Sequence, residues 1–191
     1  PSDGEAAVPS RPTPSSRGGR EAPQPAQLDA VAPVPSLFPS LKGQQLEFLL
    51  AAIGPAQESQ RNTGVPASVI LAQAILESDW GRSSLGSANN YFGIKAHGKP
   101  GPAGVVYVNT REFLNGVWVV VQAPFRAYHS MAESFIDHGR YLADNPRYAE
   151  AMKYRDNPRE FARAIHRAGY ATDPGYAAKL IRIMDRYDLY R

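Results

Sequence analysis

The chain has no cysteine. Disulfides, thiolate metal sites and thiol nucleophiles are therefore excluded, and the lack of Cys fits a secreted bacterial protein. No run of about 18 apolar residues occurs, so no segment reads as a membrane-spanning helix. Four histidines (His97, His129, His138, His166) have no ligand-like spacing, and neither an HExxH nor a GxSxG stretch is present. Metal binding and a Ser-His-Asp nucleophile are not expected, and no cofactor is implied. The net charge of +3 is too small and too scattered for a nucleic-acid partner, but it suits an anionic polymer such as a cell wall.

Proline is abundant but unevenly spread: nine of the seventeen lie in the first forty of 191 residues. Residues 1–40 read as a Pro/Ser/Ala-rich disordered linker, with extended stretches such as Ala22-Pro23-Gln24-Pro25. Residues 41–191 read as one domain, large enough to bury a core. The first residue is Pro1 rather than Met, so a processed form is expected.

Leu46, Leu49, Leu50 and Ile53 recur at helical spacing and predict a first helix from about Lys42 to Asn62, with Gly64 as its stop and a kink or break at Pro55. Pro66 opens a second helix to Trp80, nearly all apolar and hence central, ended by Gly81. After a loop-rich stretch, two β-rich runs flank Asn115-Gly116, the strongest short hairpin signal. That register sets Leu114 opposite Val117 and Glu112 opposite Val119, with Thr110 and Glu112 on one face and Arg111 and Phe113 on the other. Ser130 with Glu133, Asn145-Pro146, Asn157-Pro158 and Asp173-Pro174 each open a helical segment. The layout is mostly α with one inserted β-hairpin.

Glu77 stands out, because it lies in the last turn of an otherwise apolar helix. Burial and the negative helix terminus both oppose its ionisation. A carboxyl still protonated near neutral pH is what a general acid requires. The competing reading is a surface Glu at a fraying end. Trp80 reads either as a sugar-stacking plate beside Glu77 or as a core residue. Asn90, Tyr91 and Phe92 sit in a loop that combines amides and aromatics, able to bind acetamido groups and sugar rings or simply to turn the chain. Glu112 reads as a base beside a groove or as a solvated hairpin charge. Tyr170 reads as a cleft hydroxyl or a packing residue.

The run Ile70-Leu71-Ala72-Gln73-Ala74-Ile75-Leu76-Glu77-Ser78-Asp79-Trp80-Gly81, followed by Asn89-Asn90-Tyr91-Phe92-Gly93-Ile94-Lys95, resembles the glucosaminidase family of peptidoglycan hydrolases (glycoside hydrolase family 73). It is similar to the C-terminal domains of flagellar rod-associated muralytic proteins and to autolysins. The likeness continues through Thr110–Phe113, Phe125-Arg126-Ala127-Tyr128, Asn145–Tyr148 and Gly169–Pro174, over roughly residues 45–190. The resemblance implies a lysozyme-like α+β fold, mostly α, in which a helical lobe and a β-hairpin lobe flank a substrate groove. It implies cleavage of the β-1,4 bond after N-acetylglucosamine in peptidoglycan glycan strands. Glu77 then corresponds to the catalytic acid, Glu112 to a second carboxylate and Tyr170 to a tyrosine near the reacting sugar. Trp80, Asn90, Tyr91, Phe92 and Tyr128 are the candidate substrate-binding residues. Secretion or a cell-envelope location and a monomeric state are expected. A wall-binding module without turnover and a lytic transglycosylase are the alternatives.

Overall fold

The computed structural model describes residues 38–190. Helix α1 (Gly43–Thr63) is followed by α2 (Ala67–Ser78), a hairpin of β1 (Gly104–Leu114) and β2 (Val117–Ala127), then α3 (Met131–Asp144), α4 (Pro158–Arg167) and α5 (Tyr176–Arg186). Short 3-10 turns at Ser84–Ala88, Pro146–Tyr148 and Ala151–Tyr154 link them. The architecture is lysozyme-like and mostly helical, with the hairpin as its β part.

Helix α2 is the axle of the fold. Every residue from Ser68 to Ile75 is buried, and α2 touches each of the other four helices. An all-round apolar helix has no face that tolerates water, so the rest of the domain must wrap it. Helices α1 and α3 close against each other at Gly139, where a Cβ would run into Ser59 Oγ and Thr63. Ser59 Oγ donates across this contact to the Phe135 carbonyl at 2.8 Å.

Several boundaries differ from the sequence expectation. Phe38 is buried in the helical core, so the domain begins no later than that residue; the expected linker at 1–37 lies outside the described residues. Helix α1 runs unbroken through Pro55. The carbonyl that Pro55 leaves unpaired belongs to Ala51, an exposed position where water can serve it. Pro66 is the residue before α2 rather than its first turn, and α2 ends at Ser78, short of Trp80. Helix α5 starts at Tyr176, after a turn in which Asp173 accepts from the Gly175 amide at 2.8 Å.

The hairpin has the register expected from Asn115-Gly116, with Leu114 opposite Val117 and Glu112 opposite Val119. Both loop residues have positive φ (50° and 84°), as a two-residue turn between twisted strands requires. Its inner face (Val106, Val108, Ala123, Phe125) packs on Leu85 as a small second cluster. The base of the hairpin is tied to the loop before it by Ala96 N donating to the Pro124 carbonyl and Arg126 N donating to the Ile94 carbonyl.

Candidate active site

A groove runs past the C-terminal end of α2. Its walls are Leu76 and Glu77 of α2, the loop Phe92–His97 with Lys99, Arg126 of β2, His138 and Tyr141 of α3, the loop Tyr170–Asp173, and Tyr176 and Lys179 of α5. Five further stretches of sequence join α2 there because each packs against α2 or its immediate neighbours.

The end of α2 is fixed by an unusual turn. Asp79, Trp80 and Gly81 all have positive φ (49°, 60° and 77°). That region is costly for a bulky residue such as Trp and persists only where the surroundings enforce it. Ser78 enforces it here: its hydroxyl donates to the Ala74 carbonyl at 2.6 Å and accepts from the Gly81 amide at 2.8 Å. Asp79 is exposed and pairs with Arg82 at 2.7 Å. The turn buries Trp80 edge-on against Phe48 and Tyr187.

Glu77 projects from this end into the groove and is exposed there, while the surrounding walls partly desolvate its carboxyl. Burial raises its pKa, and the hydrogen bond from Tyr176 opposes that rise without cancelling it. Tyr176 Oη donates to Glu77 Oε1 at 3.1 Å, and Gln73 Nε2 donates to Tyr176 Oη at 3.0 Å. No cation pairs with Glu77 among the described residues. The carboxyl therefore holds its proton to higher pH than a solvated Glu.

Tyr170 lines the same groove, stacked on Tyr176 with centroids 5.4 Å apart. Burial, with Tyr176 and Glu77 adding to it, pushes its phenol up, so it stays protonated and able to donate. Glu112 is not on the groove wall. Lys95 Nζ holds it at 3.0 Å, and it is Lys95 that reaches the groove. Glu77 and Tyr170 are thus brought together, while Glu112 stands one ion pair away.

Most of the expected sugar-binding residues turn out to build the walls from behind. Trp80 is core. Asn90 is buried and clamps the loop: Oδ1 accepts from Ile94 N at 3.1 Å, and Nδ2 donates to the Ile94 and Arg126 carbonyls at 3.0 and 2.9 Å. Tyr128 is buried and donates to Asp137 at 2.6 Å; Asp137 also holds Arg126 at 2.8 Å. Tyr91 packs between Phe48 and Phe135. Phe92 alone of the five borders the groove, although it is mostly covered and stacks on His138 at 3.9 Å. Trp80 and Tyr91 are held by ring contacts inside, Tyr128 by its bond to Asp137, and Asn90 by three backbone partners.

Tyr176, His138 and Tyr141 are site residues that the sequence reading passed over. Tyr176 had a usable signal: it lies two residues after the Asp173-Pro174 helix start, in the first turn facing back toward Tyr170. Gln73, four residues before Glu77 on the same helix face, was visible as its neighbour. His138 had none beyond being a lone histidine on an amphipathic helix.

Comparison with known proteins bears on this geometry. Residues 54–189 match the glucosaminidase family model, described as mannosyl-glycoprotein endo-beta-N-acetylglucosaminidase. The chain is 43% identical over 143 residues to the peptidoglycan hydrolase FlgJ of Vibrio cholerae, covering 71% of this chain and 42% of that protein. It thus spans less than half the length of that curated relative. Among solved structures, a truncated glycoside hydrolase domain of Salmonella typhimurium FlgJ superposes with a TM-score of 0.64 at 38% identity, over 76% of this chain and 98% of that one. The catalytic domain of the autolysin Auto from Listeria monocytogenes gives 0.69 at 29% identity, over 78% and 88%. The fold is thus shared with known peptidoglycan hydrolases, and this chain belongs to the glucosaminidase family of glycoside hydrolases.

Proposed function

We propose that this domain hydrolyses bacterial peptidoglycan as an endo-β-N-acetylglucosaminidase, cutting the β-1,4 bond after N-acetylglucosamine with Glu77 as general acid. The observation that carries this reading is Glu77 itself: a carboxyl whose pKa is raised by partial desolvation, without a cationic partner among the described residues, and open to a groove. The groove wall carries Lys95, Lys99, Arg126 and Lys179; with Lys95 paired to Glu112, Arg126 to Asp137 and Lys179 to Asp173, the balance is mildly positive, which suits a strand bearing peptide carboxylates. Such a substrate lies outside the cytoplasm, and the enzyme would act there.

The strand lies along the groove. Glu77 protonates the leaving oxygen as the bond breaks, and positive charge develops on the ring carbon and oxygen. The Tyr170 hydroxyl lies on the wall where the reacting sugar passes and orients it. Glu112 is the second carboxylate, acting on water once it exchanges Lys95 for the substrate. General acid work of this kind contributes on the order of 10²–10⁴ in rate.

Glu77→Gln keeps the shape and an acceptor for Tyr176 but has no proton to give. In a gel containing peptidoglycan it leaves no cleared band, while wall binding persists. Clearing at the wild-type level would remove Glu77 from the mechanism. The location of Glu112 off the groove wall favours one second reading, a lytic transglycosylase, which needs a single carboxyl. Fragments ending in anhydro-muramyl sugars by mass spectrometry would establish it, and reducing-end N-acetylglucosamine would exclude it.

A further inference from the structure

The hydrogen bonds of Glu77 continue inward past the groove. Tyr176 donates to Glu77 Oε1 and receives from Gln73 Nε2; Gln73 Oε1 then lies 2.9 Å from His138 Nε2. Gln73 and His138 are fully buried, and Tyr176 is nearly so. His138 Nδ1 is buried too and has no hydrogen-bond partner. Its ring lies flat on Phe92, with the planes 9° apart.

These contacts admit one consistent direction. An amide oxygen only accepts, an amide nitrogen only donates, and a neutral imidazole carries one N–H. Placed on Nδ1, that proton would be buried without an acceptor. Placed on Nε2, it is donated to Gln73 Oε1. The amide is then oriented with its nitrogen toward Tyr176. Tyr176 Oη, already receiving from Gln73, gives its own proton to Glu77 Oε1; its other hydroxyl neighbour, Tyr170, favours the ionised form of Tyr176 and so acts on it as a donor. In the opposite direction Tyr176 would donate to Gln73, and Glu77 would spend its proton on Tyr176 instead of on the substrate.

We propose that His138, Gln73 and Tyr176 are positioning residues: a one-way chain of donated hydrogen bonds that makes Glu77 Oε1 a permanent acceptor and leaves the transferable proton on Oε2. This rests on reading Glu77 as the general acid. The chain need not rearrange during the reaction, because Oε1 accepts both before and after Oε2 loses its proton. The bond strengthens once the carboxylate is charged, so it favours the state formed as the leaving oxygen is protonated.

Burial keeps His138 neutral, its pKa pushed down to about 3 against the opposing pull of Asp137. The direction is therefore fixed across the working pH range. Tyr141 and Tyr170 are the other titratable groups facing His138. Tyr170 and Tyr176 face Glu77. The remaining groove charges, Lys95, His97, Lys99, Arg126, Asp173 and Lys179, are common to every variant below and cancel in the comparison.

The test is the pH profile of Tyr176→Phe in the full chain, which keeps the ring and its stack on Tyr170 but removes the donated proton. Glu77 then loses the bond that favours its charged form, so its pKa rises further, and the alkaline limb of kcat/KM moves to higher pH. At the optimum kcat falls about tenfold with KM unchanged, the size of one hydrogen bond to a charged group. Gln73→Leu moves the limb the same way, and adding it to Tyr176→Phe moves it no further. A merely structural role would lower activity at every pH without shifting the limb. Independently, long-range proton–nitrogen NMR on the native protein labelled at histidine nitrogen should find the proton of His138 on Nε2. A proton on Nδ1, or a Tyr176→Phe profile overlaying the native one, overturns the chain. Because Glu77→Gln is assayed alongside, the two failures separate: a lytic Glu77→Gln removes the acid, whereas an inactive Glu77→Gln with an unmoved Tyr176→Phe limb removes only the chain.

Discussion

The two lobes treat their carboxylates in opposite ways. Glu77 ends a helix packed on all sides, faces tyrosines, and has no cation beside it among the described residues. Glu112 sits on a hairpin whose outer face leaves Tyr107, Phe113, Trp118 and Val120 more than half exposed, and it is neutralised by Lys95. One lobe holds a proton donor in a fixed place by close packing. The other offers a charged group on a ribbon joined to the core mainly at its base. On the reading proposed above, acid and base duties would draw on different physics: partial desolvation for the first, and an exchangeable ion pair for the second.

Removing the acid is the largest break in that contrast, and Glu77→Gln has a second consequence besides loss of lysis. The pKa of Glu77 is raised in the fold, so the native state binds its proton more tightly than the unfolded chain. Stability from this group is full below the ordinary Glu value of about 4.3 and is lost as pH rises through the raised one. The Gln variant therefore melts at a higher temperature than the native protein at neutral pH, and the advantage fades toward pH 4 in scanning calorimetry. An unchanged difference at both pH values would contradict a desolvated Glu77.

Glu112→Gln should lower the rate of wall lysis by about 10² while leaving the melting temperature nearly unaltered, since its partner Lys95 is itself well exposed. A loss equal to that of Glu77→Gln would mean that both carboxylates act in the same step.

Stability changes in the two lobes sharpen the comparison further. Gly139→Ala forces α1 and α3 apart and should cost about 1–3 kcal/mol by chemical denaturation. Trp118→Ala, on the outer face of the hairpin beside Phe113 and Arg111, should cost less than about 1 kcal/mol. If the order were reversed, the hairpin and not the helical lobe would be the stable part.

What the sequence disclosed follows from the range over which each interaction acts. Asn115-Gly116 fixed eleven strand pairs because turn chemistry is local. Asn157 accepting from Glu160 N at 3.2 Å, and Ser130 accepting from Glu133 N, are equally local and equally readable. Glu77 was legible because a lone acid in an apolar helix is itself a pattern. Trp80, Asn90 and Tyr128, candidates for sugar binding, lie off the groove lining; an aromatic or amide side chain looks the same in sequence whether it greets a sugar or fills a core. Tyr176 was missed because its partner Gln73 is 103 positions away. The ion pair of Glu112 with Lys95 spans 17 positions and two elements, and no spacing rule announces it.

Helix α2 carries a further consequence. Glu77 is the only charged residue in its twelve positions, and a segment so oily cannot stand alone in water while the rest of the chain assembles around it. The acid thus rides on the part of the domain that loosens last. Heat or denaturant mild enough to fray the hairpin should leave the environment of Glu77 intact, so activity would fade through the ribbon first and return on cooling without the core having opened.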